Sequence, residues 1–378
     1  MVLLLTDEDV KRVLTMRDAM DGIEDALREH GAGQTIDMPR SRIYAPNKDD
    51  GADFWMNTMA CAIPGLGVAA MRLGTGITRV RHTQDPVILA RKTDRTFLYE
   101  IETGEMVAIV HNDYLQNLRV GATTGVAARH LARADASAVG VFGAGRQART
   151  NLIAIALCRP ITRVRVHSPT QSHCEAYCRE MSEVLGIEVA PAAPREIAQS
   201  SDIVLAATNS RAPVFDGAWL RPGTHVISIL AADAVEGGHE LDRTTLARAD
   251  LVVVNSIDKV RNDSQARLLE LIDEKLLTGE RLCELADIVA GKRAGRTSDA
   301  QLTVYDNNVG MGLQFAACAA LAWRRAVDRK IGRVLADRDF NEYRDGSADI
   351  GLHVESIAPN AYSKAAFGVP AAEQESGS

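Results

Sequence analysis

Residues 138–148 read Ala-Val-Gly-Val-Phe-Gly-Ala-Gly-Arg-Gln-Ala, an apolar run that meets a glycine-rich turn and then a helix-forming segment. Residues 139–142 have the length and composition of a buried parallel strand. Gly143, Gly145 and Ala148 then fall on the G-x-G-x-x-G/A spacing of a strand-turn-helix phosphate site. Gly143 lets the chain turn tightly, Gly145 leaves room for a pyrophosphate to approach the backbone, and Ala148 lets the helix lie close to the strand. The helix start offers unpaired N–H groups and a positive dipole end, which favour an anion. Cofactor contacts are therefore expected from Gly143, Ala144, Gly145, Arg146, Gln147 and Ala148. A ligand-free strand-to-helix turn has the same local sequence, so the flanks decide between the two.

Downstream, the patterning predicts a helix at 150–158, a strand at 162–167, a helix at 171–185 and a strand at 201–206, the alternation of a mononucleotide-binding half. Thr208-Asn209-Ser210 follows, then strands at 225–230 and 251–254. Residues 264–285 read as mostly helical with a break at Gly279, residues 290–296 as a return loop, and 302–305 as a strand leading into a helix at 311–327. Upstream, Thr6-Asp7-Glu8-Asp9 is an acidic helix start, and a longer helix is expected at 16–30. Short strands follow at 42–45, 54–60 and 67–73, then a hairpin-like pair at 87–90 and 96–100. A turn at 102–105 leads into a strand at 106–110. A long helix at 114–132 carries Arg119 together with Gly121, Ala122, Gly125 and Ala127, small residues that permit close packing or approach to a ligand. The expected fold is α/β: a Rossmann-type doubly wound domain at 133–303, and a strand-rich α+β domain formed by 1–132 with 304–378.

Length and composition set outer limits. A chain of 378 residues with 46% hydrophobic residues can build two substantial cores. Lysine plus arginine number 43 against 50 aspartate plus glutamate, a formal charge of −7. That mildly acidic balance suits a soluble enzyme and argues against a nucleic-acid partner. The N-terminus lacks the basic flank and apolar core of a signal peptide, and no apolar run approaches the ~18 residues of a membrane span, so a cytoplasmic protein without a membrane partner is expected. Six scattered cysteines without a C-x-x-C pair read as reduced thiols. Cys174 and Cys178 would share a helix face beside His173, but further ligands are lacking there and no metal is expected.

The order of several short motifs resembles the ornithine cyclodeaminase/mu-crystallin family. They are Met38-Pro39-Arg40-Ser41-Arg42, the Gly-Val-x-x-x-Arg-Leu stretch at 67–73, Thr103-Gly104, Leu118-Arg119-Val120-Gly121-Ala122, and Gly143 through Ala148. Val166-His167-Ser168-Pro169-Thr170, Ala206-Ala207-Thr208-Asn209-Ser210 and Ala232-Asp233 complete the set. The resemblance covers roughly residues 5–332. It implies an NAD(P)-dependent protein acting at the Cα–N bond of amino acids or cyclic imines, and a homodimer paired through the strand-rich domain.

The residues themselves suit that chemistry. A substrate with an α-carboxylate needs cations to clamp it, and arginine does so bidentately. Arg42 and Arg119 are the candidates, and Arg119 stands where it could serve substrate and pyrophosphate together. Arg42 resembles the family's carboxylate arginine more than Arg40 does. Asp233 follows an apolar strand at the carboxyl end where open α/β sheets bind ligands, and the resemblance assigns the matching aspartate to the substrate nitrogen. His239 and Glu240 nearby read as surface residues. Two departures from the family stand out. The family's catalytic lysine aligns with Arg72, whose guanidinium can hold a carboxylate or stabilise charge but is a poor proton donor or base. Gln314 stands where the family often has an acid.

Cofactor choice turns on the end of the second strand, where NAD enzymes favour a carboxylate for the ribose hydroxyls. Here Ser168 and Thr170 offer hydroxyls and no acid, with Arg146 or Arg165 near enough to receive a 2′-phosphate. NADP is therefore favoured over NAD, and Thr208, Asn209 and Ser210 complete the expected cofactor contacts. Three functions fit: an oxidoreductase that interconverts a small amino acid with its imino form or reduces a cyclic imine, a cyclodeaminase-like lyase with internally recycled NAD, and a non-catalytic dinucleotide-dependent ligand binder. In the first, Arg42, Arg72 and Arg119 would hold anionic groups and Asp233 the nitrogen.

Overall fold

Two eight-stranded sheets form the framework of the computed structural model, which describes residues 1–48, 51–79, 88–229, 239–262 and 265–341. The chain opens with β1 (Val2–Leu5), then α1 (Asp7–Val13) and α2 (Met16–Gly31). Thr6 and Thr15 start these helices by reciprocal bonding with Asp9 and Asp18, as the acidic helix start predicts for the first. The strand-rich part follows: β2 (Ile36–Asp37), β3 (Ser41–Pro46), β4 (Asp53–Ile63), β5 (Val68–Thr78), β6 (Ile88–Glu100) and β7 (Met106–His111). Then come α3 (Asp113–Leu131), β8 (Ala138–Phe142), α4 (Arg146–Cys158), β9 (Arg163–His167), α5 (Gln171–Leu185), β10 (Glu188–Pro191), α6 (Pro194–Ser200) and β11 (Ile203–Ala206). The remainder is β12 (His225–Ser228), α7 (Arg243–Arg248), β13 (Leu251–Val254), α8 (Ile257–Asn262), α9 (Ala266–Asp273), β14 (Leu282–Glu284), α10 (Leu285–Val289), β15 (Thr303–Asp306), α11 (Gly312–Arg329) and β16 (Arg333–Leu335).

The second sheet runs β10-β9-β8-β11-β12-β15-β13-β14, with every pairing parallel. Its central strands β8, β11, β12 and β13 are buried along their whole length, because helices cover both faces. The first sheet runs β16-β1-β7-β6-β5-β4-β2, with β3 also on β4. Only the β1–β7 pairing in it is parallel. Along β5 every second residue is buried, so one face is packed and the other is open.

Three expectations change. The hairpin-like pair at 87–100 is a single strand, β6, lying along β5. The helical stretch expected to reach residue 285 gives way to β14, which extends the parallel sheet. The return to the strand-rich part comes later than residue 304, since Thr303–Asp306 pairs between β12 and β13.

Helix α3 is buried on nearly all sides because it runs between the helices of the two halves. A Cβ at Gly121 would stand 2.6 Å from the Thr150 carbonyl oxygen of α4, and one at Gly125 would meet Met20 of α2. The small residues of α3 therefore serve helix packing. A second tie is ionic: Lys259 of α8 pairs with Asp37 of β2 at 2.7 Å, with only 8% and 2% of their side chains exposed. The other oxygen of Asp37 accepts the Leu313 N–H at the start of α11. No helix among the described residues is long and apolar enough to cross a membrane.

Candidate active site

The glycine turn forms the floor of a cleft of about 720 Å³ at the carboxyl ends of β8, β9, β11 and β12. Gly143 has φ of +103°, and a Cβ there would sit 2.3 Å from the Ala207 carbonyl oxygen, so only glycine fits. The space a Gly145 Cβ would take has no atom within 4 Å, which leaves the turn open to a ligand. Gly145 begins α4 and no side chain caps the first turn, so its N–H groups are available to an anion. Arg149 braces the turn from behind, donating to the Ala144 carbonyl at 2.7 Å while pairing with Glu180. An open glycine turn, an uncapped helix start and a cleft of this volume fit a dinucleotide diphosphate.

The expected cofactor residues distribute unevenly. Gly143 through Gln147, Ser168, Thr208, Asn209 and Ser210 line the cleft. Ala148 lies beneath the turn, fully buried, where its carbonyl accepts the Tyr177 hydroxyl at 3.1 Å. Thr170 is the residue before α5 and stands outside the lining. Arg146 lines the cleft. Arg165, the alternative for a 2′-phosphate, is paired with Glu188 at 2.9 Å.

Glu240 corrects another expectation, because it is 1% exposed instead of lying on the surface. Its carboxylate accepts the Thr208 N–H and hydroxyl on one side, and the Ser228 hydroxyl and Ile229 N–H on the other. It thereby pins two cleft-lining segments to the ends of β11 and β12. Asp306, at the end of β15, has its pKa pushed up to about 7 by desolvation and then by Glu240, against the opposing pull of Arg267. Asp233 lies outside the described residues.

The second constellation is a cluster of arginines on the packed face of the first sheet. Arg72, 5% exposed, donates through Nε and a terminal nitrogen to both oxygens of Asp94 at 2.9 and 2.5 Å. Its other terminal nitrogen donates to Asn57 at 2.6 Å. Asp94 also accepts from Asn112 at 2.9 Å, and Thr96 donates to the Asn112 amide oxygen. Arg72 is therefore fixed in place and its charge is offset. Arg42 faces Asn57 across the β3–β4 register, on the same side of the sheet as Arg72.

Arg119 differs from Arg72. It is 6% exposed, donates to Gln314 at 2.7 Å, and leaves Nε without a hydrogen-bond partner among the described residues. Among the described residues no carboxylate pairs with it. Burial first, then the like charges of Arg72 and Arg40, lower its pKa to about 9, so it remains a cation at neutral pH. Gln314 accepts from Arg119 without cancelling its charge, which an acid at that position would do. Phe315, fully buried, lies under both guanidinium groups, 4.9 Å from Arg119 and 5.3 Å from Arg72. The like-charge influence on Arg119 also brings Arg40 into the cluster, just ahead of β3 and two residues before Arg42.

Helix α3 connects the two constellations. Asn112, Gln116 and Arg119 follow one another at helical spacing along one face. Asn112 holds Asp94, Gln116 lines the cleft, and the adjacent Asn117 accepts from Gln147 at the start of α4 at 3.1 Å. The sequence reading missed Asn57, Asp94 and Gln116 as site residues. A buried charge on Arg72 required a partner from somewhere, but nothing local singled out Asp94.

The profile of the ornithine cyclodeaminase/mu-crystallin family matches residues 2–330. An uncharacterised cyclodeaminase of Sinorhizobium fredii is 31% identical over 335 residues, 87% of this chain and 97% of its own. The structure of Thermococcus litoralis Δ1-pyrroline-2-carboxylate reductase in complex with NADH and L-proline superposes with a TM-score of 0.76. It is 26% identical and covers 88% of this chain and 100% of its own. An archaeal alanine dehydrogenase, a dimer with bound NAD, superposes with a TM-score of 0.72 at 23% identity, covering 88% and 98%. A two-sheet fold, a glycine-turn cleft and a neighbouring arginine cluster thus accompany a match over most of the length: the chain belongs to the ornithine cyclodeaminase/mu-crystallin family.

Proposed function

We propose that the protein is an NAD(P)-dependent oxidoreductase that reduces the C=N bond of a small imino acid, or oxidises the corresponding amino acid. The observation that carries this reading is Arg119, a buried cation without a carboxylate partner among the described residues, one helical turn from a dinucleotide cleft. Leaving a charge buried and unpaired costs several kcal/mol, about 3–5, so the site is built for an anion that arrives with the ligand. A substrate carboxylate satisfies it, and Arg42 or Arg40 would add a second contact. The dinucleotide, when bound, supplies or accepts a hydride. A protonated imine takes up hydride at carbon and becomes an amine, with no further proton needed at that step.

Arg72 favours this reaction over the lyase. Cyclodeamination needs a group that gives and takes protons at the reacting centre, and a guanidinium locked on Asp94 and Asn57 is poorly suited to that. Asp233 is proposed to face the substrate nitrogen. NADP is favoured over NAD: among the described residues the one lining carboxylate, Asp113, is on α3 and not at the end of β9, whereas Arg146 lines the cleft. The relatives with solved complexes carry NADH or NAD.

We assign the parallel sheet and its helices to dinucleotide binding, and the first sheet with α11 to substrate binding and pairing of two copies. The outward face of the first sheet carries half-exposed Met56, Met71, Leu73 and Phe97, with Ile43 51% and Phe54 37% exposed. An apolar face of this kind fits a second copy of the chain, as in the dimeric alanine dehydrogenase relative. Sedimentation equilibrium reads this directly, and a monomer at micromolar concentration would exclude it.

The activity is tested by following nicotinamide absorbance with Δ1-pyrroline-2-carboxylate and open-chain imino acids generated from 2-oxo acids and ammonia, with NADPH and NADH in parallel. Stoichiometric cofactor oxidation is the expected result. Ammonia release from ornithine without net change in cofactor would establish the lyase instead.

A further inference from the structure

Gln116 has a buried side-chain amide oxygen, Oε1, that meets no donor among the described residues. The residue lines the cleft. Its neighbours are all engaged: Asn112 with Asp94 and Thr96, Asn117 with Gln147, and Arg119 with Gln314. A buried acceptor without a donor is destabilising, and such groups in folded proteins usually meet a ligand or ordered water.

Its position says which part of a ligand it meets. Asn117, the next residue, is tied to the first turn of α4, where the glycine turn and uncapped N–H groups receive the diphosphate. Arg119, three residues on, belongs to the cluster that receives the substrate anion. Gln116 therefore stands between the diphosphate and the reacting centre, the interval spanned by the nicotinamide and its ribose. The N–H and O–H donors in that interval are the carboxamide NH₂ and the ribose hydroxyls.

Resting on the assignment of the cleft to a dinucleotide, we propose that Gln116 is a positioning residue that accepts a hydrogen bond from the nicotinamide–ribose half and so fixes which ring face is turned toward Arg119. Gln116 lines the cleft and is not enclosed, so Gln116→Leu and Gln116→Ala leave the fold intact, as circular dichroism verifies. Binding of NADH, ADP-ribose and ADP to both variants and to the wild type is measured by calorimetry. Weakening of NADH by about tenfold with ADP unchanged is the expected result. Unchanged ADP-ribose would then name the carboxamide as donor, and a matching loss for ADP-ribose would name the ribose. NADH binding that is unaltered, or ADP weakened equally, overturns the proposal while leaving the cleft assignment standing. A wild type that binds neither these three nor NADPH overturns the assignment itself.

Discussion

Under the proposed function the cleft and the arginine cluster both receive anions, yet they are made from different material. The cleft holds charge with backbone: a glycine at φ +103°, an uncapped helix start and a turn with open space above Gly145. The cluster holds charge with side chains drawn out of water onto Phe315, one offset by Asp94 and one left for the ligand. Backbone dipoles are already partnered or solvated whether or not a ligand binds, so the cleft costs the fold little. A buried guanidinium is costly until its anion arrives, so the cluster trades stability for recognition.

That contrast is sharpest at Arg119. Arg119→Leu is expected to lower kcat/KM by about 10³, roughly 4 kcal/mol, while the melting temperature of the unliganded protein stays the same or rises. Steady-state kinetics and calorimetric melting read the two together. A fall in both would mean that Arg119 is paired within the fold and that the cluster, like the cleft, costs the fold little before its anion arrives.

Gly143→Ala makes the opposite prediction for the cleft. A side chain at positive φ, aimed at the Ala207 carbonyl, is expected to cost about 3 kcal/mol of stability and to weaken dinucleotide binding as the turn shifts. Urea unfolding and NADH titration measure the two effects. Undiminished stability would show that the turn can relax and that its geometry is not fixed by packing.

Asp306 gives the smallest effect, in the wall that Glu240 organises. Its folded pKa of about 7 lies above the ~3.9 of an unfolded aspartate, so the folded chain binds more protons in that interval. Stability therefore falls as pH rises from about 4 to about 7, and the penalty is complete above that. Asp306→Asn should raise stability at pH 8 and leave it unchanged at pH 4. Equal shifts at both pH values would assign the effect to packing instead of charge.

The same contrast explains what could be read in the sequence. The glycine turn and α5, matched residue for residue at 171–185, are local patterns in which each residue's task depends on its near neighbours. The polar run at 91–95 looked like a turn because charged residues seldom sit inside a strand. Asp94 is there because Arg72, twenty-two positions earlier, reaches it diagonally across the β5–β6 pairing, in which Arg72 stands opposite Thr96 and Gly74 opposite Asp94. Glu240 read as surface for the same reason, and its four donors come from segments brought together only by the sheet. β14 is three residues within a charged stretch that reads as helical, and its strand form depends on β13 being beside it. Short-range code revealed the cleft, whereas the cluster is written in long-range pairings that a single chain does not display.

The buried pair of Lys259 and Asp37 bears on how such a chain can be re-engineered. Transplanting the dinucleotide half onto another scaffold would strand a lysine in apolar surroundings, and the half left behind would keep an aspartate that also anchors the first turn of the helix carrying Phe315. The natural unit of exchange is thus larger than the visible module, and a chimera that cuts between the sheets must carry both members of this pair or neither.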